Sequence, residues 1–499
     1  MHPFSLRTAL AAAAAVLLAL PAGAAASPSV EIGLADENVL KGQIDGQPVP
    51  GGTDAVVAQW KAHGVQDVRI FAKWDDFAPK PDDTKMPAGF VGDDPAAYDL
   101  SALDRRIDAV VKHDLNVTLV ITGPGPVWGS IEPARLNRAW KPSPKLFGDF
   151  ATAIAKHVGA RVNRYIVWNE PNQKSWLQPQ NSCVVAKNGI TNICSPVAPH
   201  LYRELAQAGY SAINAADPKA RVAVGATSST GLRLAKSTNS TTQPLPFLRT
   251  MACVSSRYRP IKSGECKDFK AVTGDALAYH PHSKRLMPGE RDPDKNNARM
   301  GDLDRLTGVI DKLTAKKRLK VAHAKKLPLW LDEYGFETNP PDEQGDGTVA
   351  PKKAAAWVQW AGAIAARNPR VETLTQYEWF DEPTGDDGQQ FNRWQSGLYT
   401  VTGKPKPLAA VFAHPIFGWR TGNRGFVWGQ VRPGEGATKV RLQRKSGKSY
   451  KAYKTVKTDR YGTFQVRVPA SASHRYRFVY VDPTTGADAT SGTTTLREQ

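Results

Sequence analysis

Between Val30 and about Phe417 the chain alternates short, almost unbroken apolar runs with longer amphipathic ones. The apolar runs are VEIGL (30–34), DVRIFA (67–72), NVTLVIT (116–122), RYIVWN (164–169), RVAVGAT (221–227), DALAYHP (275–281), LPLWLDE (327–333) and TLTQYEWF (373–380). Their β-branched, continuous character suits strands buried on both faces. Between them, stretches beginning at Thr53, Ser101, Ser143 and Pro351 carry apolar residues at helical spacing, and the Ser and Thr residues are expected to be N-caps. Eight strand–helix alternations over about 390 residues predict an α/β fold, a (β/α)8 TIM barrel. The rival, an open doubly wound sheet, lacks a Gly-rich phosphate loop after the first strand. After GWRTGNRG (418–425) the period changes to two. FVWGQVRP, TKVRLQRKSG, SYKAYKTVKTD, GTFQVRVPA and HRYRFVYVDP alternate apolar and polar residues with turn signals between them. They predict a C-terminal antiparallel β-sandwich, dividing the chain into residues 27–417 and 418–499.

Residues 1–26 read differently. Arg7 precedes the apolar run Ala9–Leu20, and Ala24–Ala26 offer a small-residue cleavage site. This is the pattern of a signal peptide, too short to span a bilayer, and no later stretch predicts a transmembrane segment. Export makes the protein secreted and disulfide-permissive. Of the three pairings open to four cysteines, the spacings favour two local staples, Cys183–Cys194 and Cys253–Cys266. No CxxC pair points to zinc.

The net charge is +19, and from Arg420 onward 16 Lys and Arg stand against 5 Asp and Glu. A basic tail of this kind suits an anionic cell-wall surface as a partner, or is a solvated charged face. It carries no nucleic-acid motif, so no nucleic-acid partner is expected.

Chemistry in such a barrel gathers at the C-terminal ends of the strands. Glu170 directly follows the fourth run and Glu333 ends the seventh, so both should reach one cleft. Two carboxylates flanking a bond are what glycosidic cleavage requires: one protonates the leaving oxygen, the other attacks or activates water. Asn169 is placed to hold a sugar 2-hydroxyl, and Arg69, buried in mid-strand, needs an anionic partner that the nucleophile supplies. No cofactor is implied. His280 and His282 lack a third ligand for a metal, and no GxSxG elbow occurs.

WNEPN after the fourth strand and LWLDEYGFET at the seventh resemble the retaining glycoside hydrolases of clan A, in family 39-like and family 5-like form. VRIFAKWDDFAP, TGPGPVWG, DALAYHPH, YEWF and WQSGLYTVTGKPKP extend the resemblance over residues 30–417. It implies Glu170 as acid/base and Glu333 as nucleophile, with Arg69, Asn169, His280 and Trp379 lining the subsite of the attacked sugar. Trp128, and more weakly Trp74, Trp176 and Trp394, are candidate sugar-stacking rings. The loops Asn181–His200 and Gly231–Pro246 are expected to shape a cleft for a poly- or oligosaccharide. Two positions depart from the family: Asp332 stands where a threonine is common, and His280-Pro281-His282 lacks the tyrosine that steadies the nucleophile, a place open to Tyr279 or Tyr334. These departures keep a non-catalytic glycan-binding protein in view, and a transglycosylase would share the same residues.

Overall fold

The computed structural model describes residues 30–185, 192–342, 347–383, 394–434 and 436–499; the expected signal peptide lies outside them. Eight parallel strands close into a barrel. They are β1 (Glu31–Ala35), β2 (Asp67–Lys73), β3 (Asn116–Thr122), β4 (Arg164–Val167), β5 (Arg221–Ser228), β6 (Ala276–His280), β7 (Leu329–Tyr334) and β8 (Val371–Tyr377). Each neighbour in sequence is a neighbour in space, and β8 pairs back onto β1 from Glu31↔Thr373 to Ala35↔Tyr377. A helix follows each strand: α1 (Thr53–Ala62), α2 (Ser101–Val111), α3 (Pro144–Val158), α4 (Ala198–Ala216), α5 (Pro244–Met251), α6 (Leu303–Ala315), α7 (Pro351–Arg367) and the single turn α8 (Ala409–Phe412). The (β/α)8 barrel expected from the sequence is therefore present.

The capping expectation holds at one start. The Ser143 hydroxyl accepts from Leu146 N–H at 3.4 Å. Thr53 instead donates its hydroxyl to Val39 O at 2.9 Å, and Asp99 accepts the Ser101 N–H at 3.1 Å. Both pairings of cysteines form as disulfides, Cys183–Cys194 and Cys253–Cys266.

The barrel interior holds its own apolar cluster, with Phe71, Val120, Ile166, Ala223, Ala276 and Ala278 around Trp330. Alanines on β5 and β6 leave the volume that the indole fills. Its Nε1–H donates to Glu372 Oε2 at 2.9 Å, and the Arg164 and Arg221 guanidiniums lie 5.8 and 5.3 Å from the ring. Trp330 thus plugs the barrel below Phe71, and the charged cluster described next stands above that plug.

The C-terminal part is the second, mostly antiparallel β unit expected from the sequence. Its strands are β9 (Ile416–Thr421), β10 (Arg424–Gln430), β11 (Lys439–Ser446), β12 (Ser449–Lys457), β13 (Thr463–Pro469), β14 (Arg475–Val481), β15 (Asp488–Thr490) and β16 (Thr494–Glu498). The order is β12-β11-β14-β16-β9-β10-β13, with β15 beside β14. The sheet curls so that Val427, Val440, Leu442, Phe464 and Phe478 from four strands share one core. Pairing is antiparallel except between β9 and β16, which run parallel from Gly418↔Leu496. The sheet packs on α7: Trp360 stacks on Phe417 at 5.2 Å, and a Cβ at Gly362 would stand 2.9 Å from the Trp428 ring. Among the described residues no helix is long and apolar enough to cross a membrane.

Replacing Trp330 by Ala should leave a cavity under the charged cluster and cost about 3–5 kcal/mol, read by urea unfolding.

Candidate active site

β4 ends at Val167, and the next three residues leave strand geometry. Trp168 and Glu170 have φ of +72° and +35°. Such left-handed conformations cost about 1–3 kcal/mol each and persist only where the surroundings fix them. Flanking strands do so here. Trp168 N–H donates to Ile121 O and Glu170 N–H to Ala226 O, both at 2.9 Å, and Asn169 N–H donates to Thr122 Oγ1 at 3.0 Å. A Cβ at Gly123 would stand 2.4 Å from the Trp168 ring, so glycine is required there. Asn172, the second Asn of the motif, ties the turn to β5: its Nδ2 donates to Ser228 Oγ at 2.9 Å and its Oδ1 accepts Ser228 N–H at 3.0 Å. The turn sends the Glu170 carboxylate to His280, with Oε1 2.9 Å from Nδ1.

Asp332 and Glu333 are consecutive on β7 and should point to opposite faces. The pairing of β7 with β8 is irregular between Leu331 and Tyr334. Irregularities of this kind re-aim side chains, and here both carboxylates reach Arg69. The Arg69 Nε donates to Asp332 Oδ2 at 3.0 Å, and its Nη2 stands 3.0 Å from Glu333 Oε1 and 2.6 Å from Asn169 Oδ1. Asp332 also holds the far side of the imidazole, with Oδ2 3.1 Å from His280 Nε2, and accepts Tyr279 N–H at 2.9 Å. Glu333 Oε2 lies 3.4 Å from His280 Nδ1 and 3.6 Å from His282 Nε2. One oxygen of Glu170, one of Glu333 and a ring nitrogen of His280 therefore lie within 4.8 Å of one another.

Burial sets the electrostatics. For His280, desolvation alone would lower the proton affinity, but Glu333, Asp332 and Glu170 around the ring push the pKa up to about 10. For Glu333, desolvation would raise the pKa, but His280, Arg69 and His282 bring it down to about 2. Asp332 is likewise lowered against its burial, by His280 and Arg69. At neutral pH the group is a guanidinium and an imidazolium facing ionised Asp332 and Glu333. By distance, Glu170, His280 and Glu333 satisfy a three-ligand metal site. Both His280 ring nitrogens already face carboxylates, Nδ1 at 2.9 Å from Glu170 Oε1 and Nε2 at 3.1 Å from Asp332 Oδ2, so the ring is engaged within the charged cluster.

Arg69, Asn169, Glu170, His280 and Glu333 are thus gathered at one place. Trp379 and Trp128 are not. β8 stops at Tyr377, three residues before the end expected from the sequence. Beyond it, the Trp379 and Phe380 N–H groups donate to Asp36 Oδ2, and the Trp379 ring packs on Trp60, His63 and Tyr399, leaving 1% exposed. Trp128 donates Nε1–H to Pro79 O and packs edge-on against Trp74 and Phe90. Two other indoles lie beside the cluster. Trp394, half-buried, lies 4.9 Å from His282, and Trp176 stacks on Phe71 at 5.5 Å, with the Arg69 guanidinium 4.4 Å from that same ring. Tyr279 donates its hydroxyl to Ala298 O, away from Glu333. His282 stands at the tyrosine's place in the motif, and its Nε2 is the ring atom that faces Glu333.

Sequence reading missed His282 as a contact, though the HPH triplet marked it. It also missed the buried carboxyls at the end of β8. Burial pushes Glu378 well above its usual range and Glu382 to about 7. The expected cleft loops are tied together: Asn181 N–H donates to Thr238 O at 3.0 Å and Asn181 Nδ2 to Ser240 O at 2.7 Å; residues 186–191 of the first loop lie outside the described residues.

No protein-family model matches the chain, and no curated protein matches it. Solved structures do. A family 39 glycoside hydrolase from Bacteroides cellulosilyticus shares 13% identity over 89% of this chain and 81% of its own, with a TM-score of 0.48. A glucosidase from Croceicoccus marinus shares 11% over 90% and 94%, with 0.47, and xylanase 10B from Thermotoga maritima 15% over 76% and 92%, with 0.41. At these identities and scores the likenesses say nothing of this chain's substrate or reaction.

The His280 pKa lies above its unfolded value, so its contribution to stability is full below about 6.5 and lost as pH rises through about 10. The Glu333 pKa lies below its unfolded value, so its contribution is full above about 4.5 and lost as pH falls through about 2. Asp332→Asn keeps the shape and removes a charge that holds the imidazolium. It should cost about 3–5 kcal/mol at neutral pH, and the His280 imidazole, followed by NMR, should titrate at lower pH than in the wild type.

Proposed function

We propose that the protein is a secreted retaining glycoside hydrolase acting on an extracellular glycan, with Glu170 as acid/base and Glu333 as nucleophile. The observation that carries this reading is the approach of the Glu170 and Glu333 carboxylates, which with His280 contribute atoms within 4.8 Å of one another. A double displacement needs carboxyls about 5–5.5 Å apart, whereas inversion needs about 6.5–9.5 Å to admit a water.

In the first step Glu170 gives its proton to the glycosidic oxygen as the C–O bond breaks. Glu333 Oε attacks the anomeric carbon and forms a glycosyl ester. In the second, Glu170 takes a proton from water, the water oxygen attacks the same carbon, and Glu333 leaves as carboxylate. The charges around Glu333 suit a nucleophile, because Arg69 and His280 keep it ionised. Asn169, its carbonyl oxygen held by Arg69, turns its NH2 group away as a donor for a sugar hydroxyl. Trp394 and Trp176 are the rings proposed to stack on sugar faces. The Lys-rich strand β12 is proposed to meet an anionic wall surface. Export rests on the leader-like N-terminus and the two disulfides.

The test is reducing-end release from plant, fungal and bacterial wall polysaccharides and from aryl glycosides. Wild type should act on one class. Glu333→Gln should lose roughly 10⁴-fold or more in kcat. Glu170→Gln should lose about 10²–10⁴-fold on poor leaving groups and less on activated aryl glycosides. Binding of a glycan without release would favour the binding-protein reading, and products longer than the substrate would favour transglycosylation.

A further inference from the structure

The excess of positive charge is not confined to the C-terminal tail. Outside the barrel, a short parallel ribbon of Val272–Gly274 and Leu319–Val321 precedes β6 and β7. With helix α4 it encloses a groove of about 1000 Å³. A second concavity of about 660 Å³ adjoins it, with Lys317 and Lys320 on the shared wall. Together they are lined by seven cationic side chains and two carboxylates, Glu204 and Asp311.

Two of the cations are committed. The Arg318 Nε and Nη2 donate to the Ala252 and Cys253 carbonyls at 2.9 Å, and Lys326 lies 3.7 Å from Asp311. The other five, Lys270, Lys316, Lys317, Lys320 and Lys325, are exposed, and none has a side-chain partner among the described residues. They converge from two segments 46 residues apart in sequence, Lys270 and Lys316–Lys325. All precede β6 or β7 and so lie toward the N-terminal ends of the strands, whereas Glu170 and Glu333 lie at the C-terminal ends.

We propose that this groove binds a strand of acidic polysaccharide, a polymer of uronate sugars, apart from the carboxylate cluster. Unpaired lysines along a concave wall hold a local positive potential that any polyanion would feel. Two features favour a sugar chain. The lining also offers the ring of Tyr210, the amide of Gln207 and the hydroxyls of Ser211 and Thr273, groups that meet sugar faces and hydroxyls. The two concavities continue past Lys317 and Lys320, which suits an extended polymer better than a single small anion. The lysine ammonium is a mobile point charge that needs no bidentate geometry, so it can follow a repeating carboxylate. The proposal does not depend on the reaction assigned above, because its readout is binding.

The test uses the full-length protein in native affinity gels containing polygalacturonate, neutral dextran or duplex DNA, at roughly 50 and 200 mM NaCl. The groove variant is Lys270→Gln/Lys316→Gln/Lys317→Gln/Lys320→Gln. A charge-matched control carries Lys41→Gln/Lys85→Gln/Lys295→Gln/Lys352→Gln, exposed lysines outside both the groove and β12. Wild type should be retarded by polygalacturonate and not by dextran. The groove variant should lose about tenfold or more in affinity, while the control stays within about twofold. If the quadruple variant melts well below the wild type, Lys317→Gln and Lys320→Gln are read singly, each with an expected loss of about threefold. Three results would overturn the proposal: no retardation of wild type by polygalacturonate, an equal loss in groove variant and control, or equal affinity of wild type for DNA and polygalacturonate with both lost together.

Discussion

A guanidinium and an imidazolium sit at the mouth of this barrel with side chains 1% and 0% exposed. Ions so placed lose several kcal/mol of hydration each and persist only if opposite charge and hydrogen bonds replace the water. Much of the local structure follows from that requirement. Asp332 and Glu333 must both be present, and β7 must depart from strict alternation to turn both toward Arg69. His280 must be charged to satisfy Asp332 on one nitrogen and the two glutamates on the other. The positive φ of Glu170 then brings the most accessible carboxylate of the group onto the same ring.

The architecture separates three tasks. Trp330 fills the barrel below, so the charged cluster rests on a packed floor rather than a pore. The loops after β4 and β5 are laced to one another by Asn172 and Asn181, which fixes the side of the site from which Glu170 projects. The curled sheet leans on α7, leaving its Lys-rich edge strand β12 exposed.

How far the sequence foretold this depends on the kind of signal. β3 is legible to the residue, because NVTLVIT is rich in β-branched residues and is stopped by Gly123-Pro124. Glu170 and Glu333 were legible because their motifs sit at strand ends, and chain order alone brings those ends together. Trp379 was misread through a boundary. Ending β8 at Tyr377 moves the indole from the barrel mouth to the helix layer, and apolar patterning does not mark such a stop. The pairing of Asp332 with His280 depends on a register irregularity, which leaves no trace in a period-two pattern. The lysine groove is assembled from distant segments, and a count of charge along the chain saw only the tail.

The most direct test of the central claim, that Glu170 and Glu333 form a double-displacement pair, is to trap the covalent intermediate. The protein would be incubated with a panel of 2-deoxy-2-fluoro glycosides bearing activated leaving groups, and the adduct followed by intact mass and peptide mapping. The account predicts one adduct of one glycosyl unit, on Glu333. Turnover with no adduct from any glycoside and a product of inverted anomeric configuration would contradict it, as would an adduct on any other carboxylate.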